Sequence, residues 1–171
     1  MRARGFNVIE FVVILAVIVA MAGVVVPIMS VSRTSTPEGR AAQDCHRVAA
    51  AIQQFANDTH QFPTGVKGAT DLHWLHTAGT LPANNVFASG TGAHLYDFLV
   101  HNEARAASWK GPYLERDVGP DPWGRSYLVN VNGYFNSGER VVVLSAGPNG
   151  QVNTSPSATI AGGDDILVIL E

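Results

Sequence analysis

The chain has 171 residues, a formal net charge of −3 and only 15% charged residues. That length holds an N-terminal segment and one small domain, not two. No Lys/Arg block follows the first few residues, which argues against nucleic acid as the main partner. The single cysteine, Cys45, excludes an intrachain disulfide, so any staple in the domain must be of another kind.

The chain opens Met1-Arg-Ala-Arg-Gly5, then Phe6-Asn-Val-Ile-Glu10, and then runs without a charge from Phe11 to Met29. As a helix that run spans roughly 28 Å, about the hydrocarbon thickness of a bilayer. Arg2 and Arg4 precede it, which places the N-terminus in the cytoplasm and the rest of the chain outside. Three readings fit the hydropathy. One is a plain signal anchor. Another is a secretory signal peptide cut after Ala22, from the pattern Ala20-Met21-Ala22. The third is a leader cut after Gly5 that leaves the apolar run in the product. Glu10 sits at the edge of the run, where a charge costs a few kcal/mol and needs a partner or a route to water. By itself it reads as a carboxylate at headgroup level. Pro27 lacks an N–H and opposes the carbonyl of Gly23, so a kink is expected there.

From Ser30 to Gly39 the sequence turns polar, and a break or strong bend is expected near residues 30–37. Thr36-Pro37 reads as an N-cap followed by Pro at the first helical position, and Glu38 suits the first turn. The spacing predicts a helix over 37–57 with Ala41, Cys45, Val48, Ala49, Ile52, Phe55 and Ala56 on one face. Cys45 on that face reads as a small buried hydrophobe. Its neighbour His46 points elsewhere on a helix, so a Cys–His catalytic pair is poor at this spacing and no enzyme activity is expected. Pro63 stops the helix.

Residues 65–108 carry less signal. Asp71 to His76 reads as a helical turn and His94 to Arg105 as a short helix. His73 and His76 have the spacing of a metal pair, but no second ligand cluster accompanies them, and a solvated loop is the better reading. Trp109-Lys-Gly-Pro-Tyr113-Leu and Asp121-Pro-Trp123-Gly124-Arg-Ser-Tyr127 follow. The Asp-Pro step and Gly124 predict a turn into a hairpin, with Trp123 packing inward. Strands are expected at 126–130 and 140–145, joined by a turn around 132–138, and a last strand at 166–170. Between them lie two Gly-rich stretches, Leu144-Ser-Ala-Gly147-Pro-Asn149-Gly150 and Gly162-Gly-Asp164-Asp165-Ile166. An oxygen-rich, Gly-containing loop of this kind suits a hard cation.

Arg4-Gly5-Phe6-Asn7-Val8-Ile9-Glu10 resembles the type IV prepilin signature, in which Gly precedes a methylatable Phe and a Glu follows four residues later. Pro27 stands where that family also carries a proline. The Asp121–Tyr127 block and the Gly/Asp loop are similar to those of the major pseudopilins of type II secretion, and so is the helix closing in Phe62-Pro63-Thr64. The resemblance covers the first 30 residues, 48–64 and 109–166, but not 65–108. It implies an α+β, type IV pilin-like fold: one long N-terminal helix, half transmembrane and half stalk, packed on a small C-terminal antiparallel sheet with loops. The implied parts are a leader at 1–5, an assembly helix at 6–29, a stalk at 30–64 and a periplasmic head at 65–171. Implied too are cleavage after Gly5, N-methylation of Phe6, and a pairing of Glu10 with the new amino group of a neighbouring copy. Pro27 would mark a segment that loses helicity on assembly.

The partners implied are further copies in a filament, the prepilin peptidase, minor pseudopilins and an inner-membrane assembly platform. The protein would cross the inner membrane once, with its head in the periplasm. Its role would be mechanical, as a pseudopilus subunit for protein secretion. Runner-up readings are a type IV pilin for adhesion or motility, whose usual disulfide loop Cys45 alone cannot form, and a DNA-uptake pilin. By matching position the resemblance assigns calcium to Ser145, Asn149 and Asp164 with the carbonyls of Leu144 and Ile166. Three features depart from the family's pattern. Asn149 stands where the family prefers Asp, Gln151 to Ala161 lengthens the loop, and Pro37 and Gly39 interrupt the stalk. Asp165 offers a second carboxylate.

Overall fold

The computed structural model describes residues 8, 9, 11–17, 36–63, 72–103 and 105–170. Gly5, Phe6, Glu10 and Pro27 lie outside the described residues, as does most of the expected bend at 30–37. The chain divides into two units, 1–36 and 37–171. In the first, residues 8, 9 and 11–17 are helical. Their large side chains are exposed all round, from Leu15 at 45% to Val8 at 77%. A helix that is apolar on every side suits lipid or other helices rather than water. Among the described residues no helix is long and apolar enough to cross a membrane.

The second unit is one helix laid on a five-stranded sheet. Helix α1 spans Pro37–Thr59. Ala41, Cys45, Val48, Ile52 and Phe55 return every three or four residues and are fully buried. Burying an Ile or Phe side chain contributes about 1.5–3 kcal/mol, so this stripe holds the helix down. The helix ends where His60 takes a left-handed conformation (φ 53°) and its N–H donates to the Ala56 carbonyl at 2.9 Å. That is an αL cap without glycine.

The strands are β1 (Leu72–His76), β2 (Thr91–His94), β3 (Leu128–Asn130), β4 (Val142–Ser145) and β5 (Ile166–Ile169), in the order β2-β1-β3-β4-β5. A short helix α2 (Leu95–Leu99) follows β2 directly. Helix α1 packs chiefly on β4 and β5. Alternate residues of β3 and β4 serve two cores. Val129 and Val143 join the helix-side core, with Leu75, Phe98 and Tyr127. Leu128, Val142 and Leu144 join a smaller core with Trp74, Phe87 and Val152 on the other side. Strands buried on both faces read as continuous apolar runs, which is why a strand could be expected at 140–145.

Three expectations are corrected. Residues 72–76 form a strand, not a helical turn. Leu72 and Trp74 are buried and alternate with His73, and the segment is held by pairing Trp74 to Asn130 and His76 to Leu128 on β3. The expected helix from His94 to Arg105 shrinks to Leu95–Leu99. His94 belongs to β2, and its ring nitrogen accepts the Tyr96 N–H at 3.3 Å as the cap. The sheet is mixed rather than antiparallel, because β1 and β2 run parallel. Gly92 permits that pairing: a Cβ there would lie 2.3 Å from the Trp74 indole. The other expected strands and α1 are present, each within a few residues of its expected limits.

Two polar contacts close the helix–sheet seam. The Tyr127 hydroxyl, on a fully buried ring, donates to Asp44 Oδ2 at 3.1 Å. The Cys45 thiol faces the Ile166 carbonyl at 3.9 Å. Burial, followed by the nearby Asp44 and Asp121 charges, pushes the Cys45 thiol up to about 12. The Tyr127 hydroxyl moves upward for the same first cause, with Asp44 next. Both groups hold their protons more tightly when folded, so stability is present at neutral pH and falls as pH rises above their unfolded values. We predict alkaline unfolding that begins near pH 9, the ordinary thiol value, and steepens toward 12, measured by denaturant melts across that range. Cys45→Ala should flatten the first part of the curve. Tyr127→Phe should cost about 1 kcal/mol at neutral pH.

Candidate functional site

The Gly/Asp constellation sits where β4 ends and β5 begins. Ser145, the last residue of β4, pairs with Ile166, the first of β5, and Leu144 pairs with Leu167. The chain leaves β4 through Gly147 (φ 60°), where a Cβ would lie 2.2 Å from the Asp164 carbonyl oxygen. Only glycine allows the two ends of the loop to cross this closely.

Two aspartates tie the loop. Asp164 Oδ2 accepts the Asn149 N–H at 2.9 Å. Asp165 Oδ2 accepts the N–H groups of Asn153 and Thr154 at 2.8 and 2.7 Å and the Thr154 hydroxyl at 2.6 Å. The Thr154 hydroxyl in turn accepts the Gly162 N–H at 2.9 Å. The inserted segment 151–161 is therefore stitched to the second half of the loop through one carboxylate.

The Asp121 turn supports the loop from outside. Asp121 is buried, and its Oδ1 accepts the N–H groups of Trp123 and Arg125 at 3.0 and 2.8 Å. Its Oδ2 accepts the Ser145 hydroxyl at 2.7 Å. Gly124 takes the positive φ (83°) that the turn needs. Arg125 extends from the turn, and its Nη1 donates to the Gly150 carbonyl at 3.2 Å.

Of the residues assigned to calcium, the structure brings Asn149 and Asp164 together directly. Leu144, Ser145 and Ile166 lie side by side on the adjoining strand ends. The Ser145 hydroxyl is turned to Asp121, and the Ile166 carbonyl faces Cys45. The Asn149 side-chain oxygen accepts the Gln151 N–H at 2.6 Å. Asp164 Oδ1 and Asp165 Oδ1 are buried and have no hydrogen-bond partner. A buried carboxylate oxygen without a donor is costly and suits a hard cation. No group of three or more His, Cys, Asp or Glu among the described residues could hold a metal, so any cation here would draw on amide and carbonyl oxygens as well.

His73 and His76 do not converge. His73 bonds to Ser89 at 3.2 Å, and His76 to the Thr77 carbonyl at 3.0 Å. Cys45 is buried with a raised thiol and His46 is exposed, so they form no nucleophile–base pair. Asp121, Asn153 and Thr154 were not marked as site residues from the sequence. Asp121 read only as a turn former. The donors Asn153 and Thr154 lie in the insertion, where no pattern singles them out.

The sequence model of the family described as "Type II secretion system (T2SS), protein G" matches residues 91–162. The type II secretion system core protein G of Escherichia coli (strain K12) is 27% identical over 160 residues, covering 92% of this chain and 90% of that protein. The chain is pilin-like, and most like the major pseudopilins. The match to the family starts at Thr91, so β2 and α2 fall within a stretch that the motifs alone left uncovered. It also runs through the 151–161 insertion of this pseudopilin-like chain. No solved structure matches it.

Removing the Asp165 carboxylate leaves three donors without their acceptor. Asp165→Ala should cost about 3 kcal/mol. It should also speed hydrogen exchange at Asn153 and Thr154 while the α1 amides keep their relative protection.

Proposed function

We propose that this chain is the major structural subunit of a type II secretion pseudopilus. One observation carries the reading: similarity to core protein G extends over 92% of the chain, so it takes in the head and at least part of the apolar N-terminal segment. The fold agrees with the role. The described part of the first unit is a helix whose apolar side chains need cover from lipid or other subunits.

In this reading the prepilin peptidase cuts after Gly5 and Phe6 becomes the methylated N-terminus. The chain waits in the inner membrane with its head in the periplasm, then joins a filament with minor pseudopilins on an inner-membrane platform. Glu10 pairs with the Phe6 amino group of a neighbour. Two charges stranded in an apolar bundle are each costly alone, so pairing sets register more than it adds stability. Pro27 softens the helix for packing. A bulky substitution, Gly5→Val, should leave the precursor uncut, and intact-mass measurement of the wild type should show a chain beginning at methylated Phe6. A chain beginning at Gly23 would contradict the reading and point to a signal peptide.

The head would hold calcium through Asp164 and Asn149, with carbonyl oxygens of the strand ends. The support is the buried, unpartnered Asp164 Oδ1 beside a second carboxylate. Bound calcium would give the buried Asp164 Oδ1 a partner and stabilise the folded form by mass action. EDTA should lower the melting temperature, calcium should restore it, and Asp164→Asn should abolish the difference. Identical melting with and without calcium would remove this part of the proposal.

A further inference from the structure

We propose that Asn149 is a self-deamidating site, converted in the folded protein to aspartate or isoaspartate. Asn149 is exposed and followed by a buried Gly150, which has no side chain to hinder the approach of its backbone nitrogen to the amide. The sequence holds a second Asn-Gly step, Asn132-Gly133, and the structure treats the two differently.

At Asn149 two groups favour the reaction. The side-chain oxygen accepts the Gln151 N–H at 2.6 Å, which folds the amide over the Gly150–Gln151 peptide. That donor is aimed at the oxygen on which negative charge develops when Cγ is attacked, the arrangement of an oxyanion hole. The Arg125 guanidinium lies against Gly150: a Cβ there would be 2.5 Å from it, and its Nη1 donates to the Gly150 carbonyl. The guanidinium is thereby placed beside the peptide on which negative charge develops as the ring closes. Two contacts oppose the step. The Gly150 N–H donates to the Gly147 carbonyl at 3.2 Å, and Asn149 Nδ2 donates to Asn153 Oδ1 at 2.9 Å.

Among the described residues, Asn132 has a counterpart of neither group. It begins a 3-10 turn, and its Nδ2 is held by Glu139 Oε1 at 2.9 Å. At Gly133 the nearest neighbours are backbone and not a guanidinium: a Cβ there would meet the backbone of Arg140 and Val141 at 2.6 Å.

The chemistry needs only water. The Gly150 nitrogen gives up its proton to solvent and bonds to Asn149 Cγ. The Cγ–Nδ2 bond breaks, and Nδ2 takes up a proton from solvent and leaves as ammonia. Water then opens the cyclic imide at either carbonyl, giving aspartate or isoaspartate. No electrons are transferred. The product puts a third negative charge beside Asp164 and Asp165 and removes the amide donor to Asn153. The proposal does not depend on calcium binding, and its test does not measure it.

The test is peptide mapping by mass spectrometry of the purified full-length protein, aged in mildly alkaline buffer. Enzymatic methyl labelling would mark isoaspartate. Asn132 is the control within the same molecule. The expected result is conversion at Asn149 severalfold faster than at Asn132, slowed severalfold by Arg125→Gln. Conversion at Asn132 that equals or exceeds that at Asn149 would overturn the proposal, whether or not the Arg125 variant folds. An Arg125→Gln protein that folds and keeps the wild-type rate would overturn the role given to the guanidinium.

Discussion

A head with one cysteine must fix long loops without a covalent staple, and two buried carboxylates meet that constraint. Asp121 is 3% exposed and Asp165 6%, and each accepts three hydrogen bonds. A charged acceptor makes stronger hydrogen bonds than a neutral one, and it is costly to bury unless its donors are in place. The loops therefore have one favourable arrangement. Asp121 ties the turn before β3 to the end of β4. Asp165 ties the 151–161 insertion to the start of β5. Both act on the same pair of strands, β4 and β5, on which α1 lies.

That coupling relates the loop to the helix. Cys45 on α1 faces the carbonyl of Ile166, next in sequence to Asp165. Tyr127, two residues beyond Arg125, reaches Asp44 on α1. The apolar stripe of α1 supplies most of the attachment, and these polar contacts fix its register along the sheet. A filament subunit needs such a fixed seam, because force borne by an assembly helix must reach the head without sliding it.

Much of this was legible in the sequence, for local reasons. Thr36-Pro37 and the Ala41–Phe55 spacing marked α1, the Val141–Leu144 run marked β4, and Asp121-Pro-Trp-Gly marked the turn. Each signal lies within one element. What was not legible depends on partners distant in the chain. Leu72–His76 becomes a strand because β2 and, more than fifty residues on, β3 pair with it. The parallel step to β2 rests on Gly92 lying under Trp74. The loop's Asp residues drew notice as cation ligands, but Asp165 as an acceptor for Asn153 and Thr154 could not be read, because those donors carry no motif. The leader motif, Gly5 to Glu10, was the most specific signal for function, and similarity across nearly the whole chain extends that reading to the head.

The central claim is that this chain builds a secretion filament, rather than one for motility or DNA uptake. The most direct measurement is the secreted proteome of the host with the gene deleted and then restored. The account predicts that folded proteins normally released accumulate in the periplasm of the deletion strain, and that the wild-type gene restores their release while a Glu10→Ala version does not. Unchanged secretion, with surface motility or DNA uptake lost instead, would contradict it.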